Sequence, residues 1–166
     1  LMVEGPAAAR IVPYYDALMN WSLSSRSKLK TLRAVVRQYS ENEGPLQWLF
    51  GGPMTLKSPW GLATLRDLAA ASDLEMMCAY FAPMGGMIRR IAAVARRGRV
   101  RIITAAKSDN RATIDAARST YARLLRRGAQ VFEYQPTRLH SKLLVMDDVV
   151  HVGSSNFDLR SLYLNM

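Results

Sequence analysis

Apolar and polar positions alternate along the second half of the chain in short, regular blocks. Residues 74–80, 100–104 and 130–134 are apolar or alternating runs of strand length. Between them, residues 84–97 and 111–127 repeat their apolar positions every three to four residues and close at Gly98 and Gly128, which predicts two helices. The second has Ile114, Ala117, Tyr121, Leu124 and Leu125 as its buried stripe. This strand–helix–strand order predicts an α/β fold, a mixed and mostly parallel sheet with helices on both faces. Two further apolar runs, 143–146 and 149–152, flank Asp147-Asp148, a turn signal. They predict a tight hairpin in which Met146 pairs with Val149, Lys142 faces Gly153 and His140 faces Ser155.

The first half is less regular. Residues 1–5 read as the end of a strand, and Pro6 suits the first turn of a helix over 7–21, with Ile11, Tyr15, Leu18 and Trp21 buried and a bend at Pro13. Residues 22–42, Ser-rich and then basic, read as a linker with a partly formed helix. A short strand over 46–50 ends at Gly51-Gly52-Pro53, a loop covers 54–59, and a helix follows over 60–71. The expected organisation is an N-terminal helix and basic linker over 1–45 and an α/β domain over 46–166.

Composition narrows the class. The apolar share of 49% is that of a folded domain and excludes disorder as a whole-chain description. A single cysteine, Cys78, excludes an internal disulfide and a cysteine-built metal site. The formal charge of +10 directs the protein towards polyanions, either nucleic acid or an anionic membrane surface. No run of 18 uncharged apolar residues is present, so no membrane span is expected. Arg89, Arg90, Arg96, Arg97, Arg99 and Arg101 crowd one region, as a solvated face or as an interface for anionic lipid headgroups.

Chemistry enters at the open end of the hairpin. An imidazole at His140 can act as nucleophile or proton carrier, Lys142 supplies positive charge, and the Gly153-Ser154-x-Asn156 turn supplies hydrogen-bond donors. Donors beside a nucleophile suit an anionic, oxygen-rich group such as a phosphoryl centre. His151, the only other histidine, lies four residues from Ser155, roughly 13 Å along an extended strand, so it is expected to be packed or hydrogen-bonded rather than reactive.

The pattern His140-x-Lys142-x4-Asp147 with Gly153-Ser154-x-Asn156 resembles the HKD motif of the phospholipase D superfamily. Residues 139–148, with Asn156-Phe157-Asp158-x-Arg160-Ser161, are most similar to the C-terminal half of bacterial cardiolipin synthases, as are Gly5-Pro6-Ala7, Trp21 and Tyr80-Phe81-x-Pro83. The spacing from Asp147 to Gly153 is one residue shorter than the family's usual one, which a tighter turn would absorb.

The resemblance implies a catalytic set of His140, Lys142, Asp147 and Asn156, with Ser154, Gly153 and Tyr80 binding substrate, and no metal or other cofactor. It further implies a phosphatidyltransferase of the cardiolipin synthase type working through a phosphohistidine. The alternatives are a phosphodiesterase or nuclease acting on nucleic acid and an inactive half-domain. Two HKD motifs build one site in that family, and this chain holds one. The missing half is expected from a first HKD domain before Leu1 or from a homodimer partner, and the HKD domain is expected to be truncated after Met166. The expected setting is the bacterial cytoplasmic membrane, bound peripherally, with anionic phospholipid as substrate.

Overall fold

The computed structural model describes residues 2–25, 28–51 and 58–158. The chain divides into two compact units, Leu1–Ala63 with Leu162–Met166, and Thr64–Ser161. The reading of a loop over 54–59 lies largely outside the described residues, as do Arg160 and Ser161.

In the first unit, helices α1 (Pro6–Ala9), α2 (Val12–Leu23) and α3 (Leu29–Tyr39) follow one another. Residues 2–5 form no strand. The single helix expected over 7–21 is broken after Ala9, because Pro13 lacks an N–H and is accommodated only in a first turn, so α2 starts afresh at Val12. No residue of α2 is fully buried; Leu18 and Trp21 are half-buried as expected, as is Ile11 just before the helix. Tyr14 turns inward, stacking on Phe50 with centroids 3.6 Å apart and meeting Tyr39 edge-on at 6.2 Å, while Tyr15 is exposed.

The stretch read as a linker holds the full helix α3. Its Leu32 and Val36 are completely buried four residues apart, while Lys30, Arg33 and Arg37 of the same helix lie off that stripe. Residues 46–50 form no strand. They are held by individual hydrogen bonds: Trp48 exchanges backbone bonds with Glu41 (2.9 Å each, one to the Glu41 carboxylate), and its indole N–H donates to the Ala7 carbonyl at 2.8 Å.

Helix α4 (Pro59–Ala70) leads into the second unit. There β1 (Asp73–Cys78), β3 (Arg99–Ala105), β4 (Gln130–Tyr134), β5 (Lys142–Met146) and β6 (Val149–Val152) form a sheet of order β4-β3-β1-β5-β6, while β2 (Phe81–Ala82) pairs with β7 (Phe157–Asp158). The sheet is mixed: β1/β3, β3/β4 and β2/β7 are parallel, β1/β5 and β5/β6 antiparallel. Helices α5 (Gly85–Arg97) and α6 (Arg111–Leu125) are the crossovers between the parallel strands. Two successive right-handed crossovers stepping the same way put these two helices on one face of the sheet, within the helix-flanked α/β fold that the sequence reading expected. That face carries Leu74, Met76, Cys78, Val100, Ile102, Leu144 and Met146, all buried. Each such side chain contributes about 1.5–3 kcal/mol relative to exposure.

The α6 stripe is Ile114, Ala117, Thr120 and Leu124; Leu125 is exposed. Thr120 tolerates burial because its hydroxyl donates to the Ala117 carbonyl at 2.7 Å. At the other end of the layer, Gly98 meets the turn before β1 so closely that a Cβ there would lie 2.3 Å from the Ser72 carbonyl oxygen.

Candidate functional site

The C-terminal ends of the parallel strands β1, β3 and β4 and the start of the antiparallel β5 share one edge of the sheet. Three backbone hydrogen bonds gather distant segments there. Ala79 N–H donates to Ser141 O at 3.1 Å, Phe157 N–H to Tyr80 O at 3.2 Å, and Gly153 N–H to Lys142 O at 3.4 Å. Tyr80, His140, Lys142, Gly153 and Asn156 are thereby brought to one end of the hairpin from far apart in sequence.

The hairpin has the expected register, Met146 opposite Val149 through Leu143 opposite Val152. Asp147 takes a positive φ of 49° at the turn, which an aspartate tolerates better than most residues. The alternation continues unbroken from the turn as far as Val152. The ladder stops sooner than expected, however. His140 lies before β5 as an exposed loop residue, and no His140–Ser155 pair forms.

Lys142 is buried, and its Nζ donates to the His140 carbonyl at 2.8 Å. Burial pulls its pKa below the ordinary lysine value, partly offset by neighbouring Cys78, whose own thiol burial pushes up to about 12. The ammonium thus fixes the backbone that carries the His140 ring. The imidazole itself makes no hydrogen bond to the described residues. Ser154 is exposed, while Asn156 is half-buried beside the fully buried Phe157, whose ring stacks at 6.1 Å on Phe81.

Asp147, expected in the catalytic set, is at the opposite end of the hairpin. It stands five residues beyond Lys142, roughly 17 Å at about 3.4 Å per residue. Its carboxylate accepts hydrogen bonds from the backbone N–H groups of Asp73 (2.8 Å) and Ser72 (3.1 Å), and its own N–H donates to the Asp73 carbonyl. It clamps the turn to the start of β1 and touches nothing at the His140 end.

The sequence reading missed a group beside Tyr80. The phenol donates to the Asp109 carboxylate at 3.2 Å, which also accepts from Ser108 at 3.2 Å. The bond from Ser108 and then that from Tyr80 hold Asp109 below the usual carboxylate range, and Arg138 adds to this. Its position just after β3 is where sheets of this class place ligand-contacting loops, a signal that could have flagged it. His151, by contrast, is held by Asp67 (Nε2 to Oδ2, 2.8 Å) and Thr64 (Nδ1 to Oγ1, 3.4 Å) of α4, as expected of a packed strand residue. Among the described residues no three His, Cys, Asp or Glu side chains are grouped to hold a metal, and no helix is long and apolar enough to cross a membrane.

Comparison with known proteins fits this geometry. Residues 65–166 match the family model described as cardiolipin synthase, PLD-like domain. The chain is 31% identical over 133 residues to cardiolipin synthase 2 of Bacillus anthracis, covering 75% of the chain and 25% of that protein. It is 31% identical over 168 residues to cardiolipin synthase A of Pseudomonas aeruginosa strain LESB58, covering 98% and 33% respectively. The chain therefore spans a quarter to a third of the curated relatives it matches. Among solved structures, Nuc from Salmonella typhimurium, a phospholipase D family member, shares the fold with a TM-score of 0.54 at 22% identity, covering 66% of this chain and 74% of that one. With a family model matched across the whole unit that bears His140, Lys142 and Asn156, the chain belongs to the phospholipase D superfamily, in its cardiolipin synthase, PLD-like domain family.

Proposed function

We propose that the chain supplies one half of a phosphatidyltransferase site of the cardiolipin synthase type. The observation that carries this reading is the convergence of His140, Lys142, Gly153 and Asn156 at one sheet end, by backbone bonds between segments whose sequence order is that of an HKD motif. In the reaction, one imidazole of a pair attacks phosphorus while the P–O bond to the headgroup glycerol breaks, and the second imidazole protonates the departing alcohol. The acceptor alcohol then attacks the phosphohistidine, giving its proton to that second imidazole, and the P–N bond breaks to regenerate the nucleophile.

His140 is one member of the pair. The second comes from outside this chain or from a second copy, because the only other histidine, His151, is committed to Asp67 and Thr64. Lys142 and Asn156 stabilise charge on the non-bridging oxygens. Asp147 acts through the turn as a positioning residue.

The test uses dimeric fractions of the protein with labelled phosphatidylglycerol in mixed micelles and, in parallel, with duplex DNA. A phosphatidyl-transfer product, lost by at least a thousandfold in His140→Ala, is the expected outcome. DNA cleavage that depends on His140, with no lipid product, overturns the proposal in favour of the nuclease reading, which the charge of +10 would suit. A strictly monomeric fraction should show no turnover.

A further inference from the structure

Two groups stand out among the arginines of the second unit. Arg97 donates to the Leu68 and Ala71 carbonyls at the end of α4 (2.6–3.0 Å). Arg99 pairs with Asp73 at 2.6 Å, Arg101 pairs with Glu75, and Arg118 forks onto Glu133 at 2.7 and 2.8 Å. These guanidinium groups have partners within the fold, carboxylates for Arg99, Arg101 and Arg118 and carbonyls for Arg97.

The others are different. Arg89 and Arg96, seven residues apart and so on one face of α5, together with Arg123 of α6 and Arg127 in the turn after it, line a cavity of about 190 Å³ whose remaining walls are Ile88 and Ala92. The Arg89 and Arg123 guanidinium groups come together above Gly85, where each would lie within 3.9 Å of an added Cβ. None of the four has a carboxylate or carbonyl partner among the described residues, and no acidic residue lines the cavity.

Four like charges around one cavity repel one another, and an anion seated between them removes that cost. We propose that this cavity between α5 and α6 binds the phosphate of an anionic phospholipid and holds this face against a membrane. Its place is separate from the His140 site: none of its walls belongs to the hairpin. Guanidinium forks match phosphate oxygens, and the Ile88–Ala92 floor accepts the carbon skeleton next to the phosphate. A single-stranded nucleic acid would call for aromatic side chains on which bases stack, and the lining has none. The site rests on the lipid-directed reading proposed above but requires no catalysis.

The experiment measures cosedimentation of the protein with vesicles of 30% phosphatidylglycerol in phosphatidylcholine, with pure phosphatidylcholine vesicles and DNA duplex as separate arms. Arg89→Gln/Arg123→Gln should lower the affinity for phosphatidylglycerol vesicles roughly twentyfold or more, at about fivefold per arginine near an anionic surface. Arg89→Lys/Arg123→Lys, which keeps the charge but loses the forks, should fall between that variant and the unaltered protein. Lys28→Gln/Lys30→Gln, with the same change in net charge elsewhere, should cost less than threefold.

Equal losses in the two Gln pairs would show diffuse attraction only and overturn the site. So would a loss confined to DNA binding, which would assign the cavity to nucleic acid. Cosedimentation reads binding and not turnover. Failure of vesicle binding with His140-dependent turnover intact in detergent therefore refutes this site alone, and the reverse result refutes only the catalytic reading.

Discussion

The two ends of the hairpin differ in what a single side chain does there. Asp147 combines a left-handed turn conformation with two backbone donors from the start of β1, so its charge is spent on holding the hairpin to its neighbour. Asparagine tolerates the same φ and keeps the size, leaving the lost charge as the main change. Asp147→Asn should therefore lower the unfolding free energy by about 1–2 kcal/mol, as hydrogen bonds to an ionised acceptor weaken, measured by urea denaturation. His140→Ala should leave that free energy unchanged within about 0.5 kcal/mol, because the ring is exposed and bonded to nothing described. The HKD spelling lists the three residues together, yet the fold places His140 and Lys142 at one end of the hairpin and Asp147 at the other.

Elements meet through close contacts that periodicity does not announce. The α5-to-β3 turn passes over Ser72, with the Arg99 N–H donating to the Ser72 carbonyl at 3.1 Å and Gly98 directly above it. Gly98 has an extended φ of −172°, so glycine is needed there for space rather than for handedness. Gly98→Ala should cost about 1–3 kcal/mol, seen as a lower urea midpoint with an unchanged slope, since the backbone it would strike cannot rotate away. Arg97 closes the same corner by taking the last α4 carbonyls, which end that helix where no glycine does. The helix α3 was hidden for the converse reason. Leu32 and Val36 give it only a narrow apolar stripe among basic residues, and burial of those two positions outweighs the polar composition around them.

At the scale of the whole molecule, acid should loosen the second unit through its paired carboxylates. Burial opposes ionisation of Asp67, but the Arg66 and His151 hydrogen bonds prevail and hold it below the usual range. The Arg118 hydrogen bond does the same for Glu133. Lowered folded values mean that both groups stabilise the protein above about 4, the ordinary carboxylate range, and that this stability is lost as the pH falls through the folded values. Thermal unfolding followed from pH 6 to 3 should show a falling midpoint, and Asp67→Asn/Glu133→Gln should flatten that fall.

What the sequence determined by itself were features that repeat locally. The strand–helix alternation of the second unit, the Asp147-Asp148 turn and the Met146–Val149 register follow from side-chain period and turn chemistry, which need no distant partner. Tertiary structure alone decided which of two adjacent tyrosines turned inward and that Asp147 and His140 work at opposite ends of one hairpin. It also decided which arginines found carboxylates and which four were left around a cavity. Those outcomes depend on residues tens of positions apart, such as Ser72 with Asp147 or Arg89 with Arg123, whose meeting is set by strand order and helix packing rather than by any neighbour in the chain.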